Sequence, residues 1–580
     1  MQPRALYETT TLVILMAALV NDLTTPTLAL DNGYGRTPGM GWNSDYCTNC
    51  SGPPGSNGFG GEHFVRHIAD FLNSSGLQAK GYRFVNMDAS WDTATRDPRT
   101  GDLVPDPELW PSTIEKTIEY IHSKNLGFGL YGDKGSLDCA KNPGSLGHEA
   151  QDARFLARIK VDWWKEDSCY SPAGTEADQI AAYAKMRDAL NATGRKIWFA
   201  LCGWKTFYAT DAGGGQQLGN SWRIGPDTGT GWSSVMINAA AGLHVASSRA
   251  PGPSMNGGAW SDGSLLLNPG MGHTPEDRID NARHRSMFSL WCILNFNLLM
   301  TGNLSALDPF VLETWGNADL IAVNQDTHAL PLLVLNISTT LRSEESSYTQ
   351  AHLEECGGEP EQQVWVRDSP MEGFWRNPHL NLCLNVKGCG SELIYDHCTV
   401  TGGTCAGAHS YGNEQFDLSS KDHGLRSRLS DGKCATQDPS GLLNMQTCGK
   451  GSVDSAQAFF YSNDTKQLTS LADGRCLTAS SNPNPPQPSK KDQWVISREL
   501  KDGSVVLLFL NNGNNATTVT CDAACFEKIG VNAVVPSSSN HVNVVDLWNT
   551  GAKRAPLVMP NLAVDLNGAG ASAVFKLSSG

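Results

Sequence analysis

Asp167 stands two residues beyond Lys165, and Asp227 stands four residues beyond Arg223. Both pairs close short apolar runs, as do Trp42, Asp88, Tyr131 with Asp133, Cys202, and Asp262. Carboxyl groups, two cations and aromatic rings are the parts from which acid–base and nucleophilic sites are made. Singly, each has a plain structural explanation. A lone Asp at a strand end most often caps the next helix, and an Arg near an Asp is usually a structural pair. Their convergence on one mouth is what stability alone does not demand.

The elements that would bring them together alternate in type. Candidate strands are Met40–Asn43, Tyr82–Asp88, Gly127–Asp133, Val161–Asp167, Ile197–Gly203, Ser221–Gly225, Ala259–Leu267 and Asn297–Thr301. Amphipathic stretches such as Glu62–Leu77, Thr113–Lys124, Glu176–Leu190 and Pro275–Leu290 lie between them. Strand–helix alternation of this length predicts a (β/α)8 TIM barrel over residues 30–325. An open doubly wound sheet is the alternative, and no Gly-rich phosphate loop follows the first strand to support it.

Beyond the barrel the pattern changes to period-two alternation, as in Gln363–Arg367, Gln493–Ile496 and Ser504–Leu510. Residues 326–370 and 491–580 are expected to form an antiparallel β-sandwich. Residues 371–490 interrupt it with a cysteine-rich repeat. Leu382-Cys383-Leu384, Lys433-Cys434-Ala435 and Arg475-Cys476-Leu477 recur, and Cys398 and Cys448 follow the first two. The segment resembles the ricin-type (ricin B-type lectin) β-trefoil, in which each repeat ends in Gln-x-Trp. Phe replaces that Trp in Gln415-Phe416 and Gln457-Ala458-Phe459, which favours a structural role over sugar binding.

A net charge of −15 argues against nucleic acid, whose phosphates need a basic face. Arg4, the apolar run Thr11–Val20 and Thr27-Leu28-Ala29 have the layout of a signal peptide over residues 1–29. The run is too short to span a bilayer, so no membrane partner is expected. Sixteen cysteines, an even number, imply disulfides formed in an oxidising compartment. Cys47-x2-Cys50 stands alone as a zinc-like spacing, and no metal is expected. Sequons at Asn49, Asn73, Asn191, Asn303, Asn336, Asn463 and Asn515 fit a secreted glycoprotein, extracellular, vacuolar or lysosomal.

Seven motifs occur in order: Pro38-Gly39-Met40-Gly41-Trp42-Asn43, Tyr82-Arg83-Phe84-Val85-Asn86-Met87-Asp88, Leu103-Val104-Pro105-Asp106-Pro107, Gly127-Phe128-Gly129-Leu130-Tyr131-Gly132-Asp133, Lys165-Glu166-Asp167-Ser168-Cys169-Tyr170, Gly219-Asn220-Ser221-Trp222-Arg223 and Ala322-Val323-Asn324-Gln325-Asp326. Together they resemble the α-galactosidase/melibiase glycoside hydrolases over about residues 31–330. The resemblance implies a retaining exo-glycosidase that releases terminal α-D-galactosyl residues by double displacement, without metal or organic cofactor. It makes Asp167 the nucleophile and Asp227 the acid/base. Substrate-binding positions fall on Trp42, Asp88, Tyr131, Asp133, Lys165, Cys202, Gly203, Trp204, Arg223 and Asp262. It also implies a Cys169–Cys202 disulfide. Lys165 and Arg223 are expected to keep Asp167 ionised, leaving Asp227 to hold a proton. Galactose-like ends of oligosaccharides, polysaccharides or glycoconjugates are the implied partners, and a homodimer is compatible.

Three regions depart from the family pattern. Family members usually carry two adjacent aspartates at the second strand's end, for the O4/O6 side of galactose, whereas Asp88-Ala89 carries one. A buried hydroxyl without its partner costs about 1–3 kcal/mol. That leaves room for β-L-arabinopyranose, which lacks C6. Gly203 replaces a common Glu, and Thr206 a common Leu. These changes either admit a 2-acetamido group, as in α-N-acetylgalactosaminides, or leave space that another side chain fills. The third is Trp260-Ser261-Asp262-Gly263-Ser264-Leu265, which lacks a second Asp. A glycan-binding pseudoenzyme is the non-catalytic alternative, and the intact Lys165, Asp167, Arg223 and Asp227 count against it. A cysteine-rich wall protein would leave the convergent charges unexplained.

Overall fold

A parallel sheet must be covered on both faces, so each strand of the first half needs a helix to return along it. The computed structural model describes residues 32–46, 61–172, 176–204, 206–209, 214–228, 231–248, 259–272, 278–304, 307–326, 333–337, 350–357, 360–367, 375–377, 382–386, 393–397, 416–427, 433–449, 455–479, 493–513, 515–529, 541–549, 557–558, 561–568 and 570–579. The expected signal segment, Cys47, Cys50 and Cys398 lie outside them.

Eight strands run parallel: β1 (Met40–Asn43), β2 (Phe84–Asn86), β3 (Gly127–Asp133), β4 (Trp163–Asp167), β5 (Trp198–Leu201), β6 (Ser221–Arg223), β7 (Trp260–Asp262) and β8 (Leu298–Met300). Their order is β7-β6-β5-β4-β3-β2-β1-β8. Leu266, just past β7, closes the ring by a parallel bridge to Met300 and a 2.8 Å hydrogen bond to the Leu299 carbonyl. The helices are α1 (Glu62–Ser74), α2 (Ile114–Ser123), α3 (Glu149–Arg158), α4 (Glu176–Ala192), the single turn α5 (Gly215–Leu218), α6 (Trp232–Ser248), α7 (Asn281–Ile293), α8 (Pro309–Trp315) and α9 (Ala318–Asn324). The chain is a (β/α)8 barrel, as the alternation predicts.

Alternate residues of a strand face opposite sides of the sheet. On β4, Trp163 joins the barrel's inner aromatic cluster while Trp164 packs outward among the helices. Trp163 stacks on Trp198 of β5 with ring centroids 4.5 Å apart, and Phe84 of β2 meets it edge-on at 5.1 Å. Each such pair adds about 0.5–1.5 kcal/mol beyond the apolar area it buries. The result is a dry aromatic floor. Two and four residues further along β4, the same inward face carries Lys165 and Asp167. Gly129 on β3 leaves room for this floor, since a Cβ there would lie 2.1 Å from Asn86 Oδ1.

Helix α7 is buried on nearly every side, because a second layer covers its outer face. That layer is a six-stranded antiparallel sheet in the order Leu557–Val558, His541–Asp546, Ala571–Ser579, Val505–Asn511, Gln493–Glu499, Leu333–Ile337. Ser286 Oγ lies 2.7 Å from Ser572 Oγ, and Arg498 donates to the Ile293 carbonyl at 3.3 Å. Thr517–Cys521 and Leu562–Leu566 pair into a small second sheet. Leu507, Phe509, Val519, Val564 and Phe575 fill the space between the two, which makes the unit a β-sandwich.

Strand Leu333–Ile337 pairs with Gln493–Glu499, Ile337 opposite Trp494. The chain therefore leaves the sandwich after 337 and re-enters beside the same strand at 493. The boundary expected at 371 is corrected by strand pairing. His352–Glu354 pairs with Cys476–Thr478, and Cys356 is disulfide-bonded to Cys476. Residues 350–367 thus belong with the inserted segment, because the last repeat's cysteine strand takes its partner from the segment's front end. Gln363–Arg367, expected as a strand, holds the end of a helical turn (Pro360–Gln363) and a single bridge from Val366 to Arg376. Cys434–Cys448 pair as the repeat suggests, and Cys383 is also disulfide-bonded. Among the described residues, no helix is long and apolar enough to cross a membrane.

Candidate active site

The C-terminal strand ends of the barrel bring Asp88, Tyr131, Lys165, Asp167, Arg223 and Asp227 into one cluster. Asp167, buried at the end of β4, receives the Ser168 N–H on Oδ1 at 2.8 Å and the Tyr131 hydroxyl on Oδ2 at 3.2 Å. Burial pushes the Asp167 carboxyl above its ordinary range. The Lys165 charge and the Ser168 amide pull it back, while the Asp227 charge pushes the same way as burial. Lys165 Nζ lies 2.8 Å from Asp88 Oδ2 and 5.0 Å from the centroid of the Tyr131 ring. Burial disfavours the Lys165 charge, but the carboxylates of Asp88, Asp45 and Asp167 outweigh it and hold the ammonium well above its usual range.

Arg223 does not reach for Asp167 as expected. Its NH1 donates to Asp227 Oδ1 at 2.9 Å, an i,i+4 pair set by the turn after β6. The expected division of charge, with both cations on the nucleophile, is therefore corrected: Lys165 serves the Asp167 side and Arg223 the Asp227 side. Asp227 Oδ2 has no protein partner among the described residues, and its side chain keeps 32% of its exposure. This is the oxygen open to an incoming group.

The Cys169–Cys202 disulfide is also corrected. Cys169 is bonded to Cys139, on the loop after β3, and Cys202 is a free, buried thiol. Cys202 Sγ instead receives Trp204 Nε1 at 3.2 Å and faces Arg223 NH1 at 3.9 Å. Burial and the Asp167 charge push this thiol well above its ordinary range, so it stays protonated. Trp204 sits at φ 54°, a left-handed conformation that costs a bulky residue energy and that clusters at binding sites.

Several predicted ligands turn out to brace the site. Asp133 accepts Gly135 N and Cys169 N, each at 2.6 Å, so its carboxylate ties down the loop after the nucleophile. Asp262 accepts Ser264 N at 2.8 Å and Asn297 Nδ2 at 3.1 Å. Trp42 is fully buried and donates to the Gly302 carbonyl at 2.8 Å, so its ring presents no open face. The space freed at Gly203 is filled: a Cβ there would lie 2.4 Å from the ring of Tyr208. The side chains of Thr206 and Phe207 lie outside the description.

The sequence reading missed Asp45, in the loop after β1. Ser44 Oγ accepts the Asp88 N–H at 2.8 Å and stitches this loop to the end of β2. Asp45 Oδ1 accepts Tyr46 N at 3.0 Å. Burial, with the Asp88 charge next, pushes the Asp45 carboxyl up to about 8. A signal was present, since Gly41, Asn43 and Asp45 share one strand face. A cluster of Asp133, Cys139, Asp167 and Cys169 has its ligand atoms within 4.8 Å of one another, but the two cysteines are spent on each other.

Residues 37–326, half of the chain, match the alpha galactosidase A (melibiase) family. The chain belongs to that family. Alpha-galactosidase 3 of Arabidopsis thaliana is 38% identical over 299 residues, which span 52% of this chain and 62% of the relative. Alpha-galactosidase 2 of the same plant is 36% identical over 301 residues, 52% of this chain and 69% of the relative. The aligned stretch thus spans about two thirds of these melibiase relatives. In structure, alpha-galactosidase I from Mortierella vinacea superposes with a TM-score of 0.58 at 19% identity, covering 95% of this chain and 99% of its own. A β-L-arabinopyranosidase from Geobacillus stearothermophilus gives 0.54 at 14% identity, covering 95% and 99%. At these identities the two likenesses establish a shared fold.

Proposed function

We infer that this melibiase-family chain is a retaining exo-glycosidase acting on terminal α-D-galactosyl residues. The observation that carries the reading is the pair of carboxyls at the barrel mouth, Asp167 with two donors on its oxygens and Asp227 with one oxygen held by Arg223 and one open. In the first step Asp167 attacks the anomeric carbon. The glycosidic C–O bond breaks, and the proton on Asp227 Oδ2 passes to the departing oxygen. In the second step Asp227, now a carboxylate, takes a proton from water; that water attacks the anomeric carbon and frees Asp167. Lys165, Tyr131 and Ser168 stabilise Asp167 when it leaves as a carboxylate.

The names of the relatives support galactose as the sugar. The missing carboxyl at Ala89 favours a second reading on the same mechanism, a β-L-arabinopyranosidase. We place the protein in the secretory pathway, a reading supported by its disulfides and by exposed sequon asparagines at 73, 191, 463 and 515. Hydrolysis of 4-nitrophenyl α-D-galactopyranoside, β-L-arabinopyranoside and N-acetyl-α-D-galactosaminide in parallel tests the reading. The galactoside is expected to give the highest kcat/KM. The acetamido sugar is expected to be the poorest, because Tyr208 fills the room beside Gly203. No release from any of the three would overturn the enzymatic reading.

A further inference from the structure

The wall of the pocket around Asp88 is short of carboxyl oxygens on β2, where Ala89 offers only a methyl group. The loop after β1 supplies another. Ser44, bonded to the Asp88 amide, fixes the loop's approach, and Thr301 Oγ at the end of β8 donates to the Asp45 carbonyl from the other side. Tyr46 completes the turn at φ 59°, a left-handed conformation that a tyrosine adopts only when its surroundings impose it. This turn holds the Asp45 carboxyl inside the mouth, half-buried, with Oδ1 taken by the Tyr46 amide.

Asp45 Oδ2 takes no hydrogen bond among the described residues. The neighbouring Asp88 is more fully engaged: Oδ2 receives Asn43 Nδ2 at 3.0 Å and Lys165 Nζ at 2.8 Å, and Oδ1 receives Ala89 N at 3.1 Å. After burial, the largest influence on Asp45 is the charge of Asp88, followed by those of Lys165 and Asp227. Asn43 and Ser44 both bond to Asp88, and in the barrel order β2 and β3 stand between β1 and β4, so Asp45 sits on the Asp88 side of the mouth. A sugar whose anomeric carbon meets Asp167 turns its far end to this wall. For a hexopyranose the group furthest from the anomeric carbon is the exocyclic hydroxymethyl.

On the glycosidase reading above, we propose that Asp45 is a specificity-determining residue whose free oxygen takes the 6-hydroxyl of a hexopyranose, supplying from the β1 loop the contact that Ala89 cannot make on β2. A group near its raised titration point can donate as well as accept, which suits a hydroxyl. The site then prefers galactose to sugars that lack the 6-hydroxyl, despite Ala89.

The 6-deoxy analogue isolates that one group. In wild-type protein, kcat/KM for 4-nitrophenyl α-D-galactopyranoside should exceed that for the α-D-fucopyranoside by about tenfold or more. Asp45→Ala should bring that ratio to within about threefold of unity. Asp45→Asn keeps the side-chain shape if the alanine variant does not fold, and should lower the ratio in the same direction. Calorimetric titration of D-galactose and D-fucose into the same proteins reads the ratio without turnover. A chain that cleaves nothing thus overturns the glycosidase reading while the contribution of Asp45 is still measured. A galactose-to-fucose ratio that Asp45→Ala and Asp45→Asn leave unchanged, whether or not both values fall together, overturns the proposal, as does failure of the wild type to distinguish the two sugars.

Discussion

In the inserted module, Gln363 and Gln457 play matching parts. Gln363 donates to the Glu355 carbonyl and Thr478 Oγ at 2.9 and 3.0 Å, and accepts Gly357 N at 3.0 Å. Gln457 donates to Thr436 Oγ and the Thr447 carbonyl at 2.9 and 3.1 Å, and accepts Gly449 N at 3.1 Å. Each sits beside a disulfide, Cys356–Cys476 or Cys434–Cys448. At the barrel mouth, by contrast, Asp45 and Asp227 each keep one carboxylate oxygen without a protein partner among the described residues. These two glutamines are spent on the module itself, whereas the mouth keeps two carboxylate oxygens open. A buried polar atom left unpaired is costly, so an open one in a structured site is a place for a ligand, whereas a satisfied one is a brace.

The widest separation between the two regions should come from the nucleophile. Asp167→Asn should lower kcat by roughly 10⁴-fold or more while leaving the melting temperature within a few degrees. Parallel turnover and thermal-melt measurements check this. Tyr131→Phe removes one of two hydrogen bonds that favour the charged form of Asp167. A decrease in kcat/KM of about tenfold is expected, and the acid limb of the pH–rate profile should move to higher pH, because losing that bond raises the nucleophile's pKa.

Gln457→Ala should do the reverse. It orphans Thr436 Oγ and Gly449 N, so a loss of about 1–3 kcal/mol in the stability of the module is expected, with kcat/KM on the galactoside unchanged. Denaturant titration followed beside activity would show it. A parallel fall in activity would mean that the module and the mouth are not separate in function.

The smallest effect concerns stability in acid. His284 on α7 is buried between Phe310 and Trp315, with ring centroids 6.1 and 5.5 Å away. Burial, then the charge of Arg285, pushes it down to about 3 from an ordinary 6.5. The unfolded chain therefore binds a proton that the folded chain refuses between those values. Stability is present above about pH 6.5 and is lost progressively as pH falls toward 3. His284→Phe should flatten that part of a melting-temperature-against-pH curve by a few degrees.

How much of this was legible in the sequence follows from the same distinction. The eight strands were readable because a barrel strand writes its pattern locally: aromatic floor, then charge, on alternate residues of Trp163, Lys165 and Asp167. The two acids and two cations were readable for the same reason. What each oxygen bonds to was not, since that depends on residues far away in the chain. Asp133 and Asp262 look like ligands until Cys169 N and Asn297 Nδ2 are seen on them. Nothing in the spacing of the cysteines chooses a partner for Cys169, and only the course of the loop after β3 selects Cys139. Arg223 reaches Asp227 because a four-residue turn brings them together. Asp45 escaped notice because it lies past the last paired residue of β1, where the alternation continues but the strand does not. In the inserted segment the repeat was visible, whereas its closure was not, because Cys356 joins from outside the span in which the cysteines recur.

Double displacement requires Asp167 to form a covalent bond to the sugar. Reaction with a slow-turnover fluorinated galactosyl fluoride, followed by intact mass and peptide mapping, tests it most directly. One glycosyl adduct on the peptide that carries Asp167, absent in Asp167→Asn, is predicted. An adduct on Asp227, Asp88 or Asp45, or hydrolysis with no adduct and an inverted product, would contradict it.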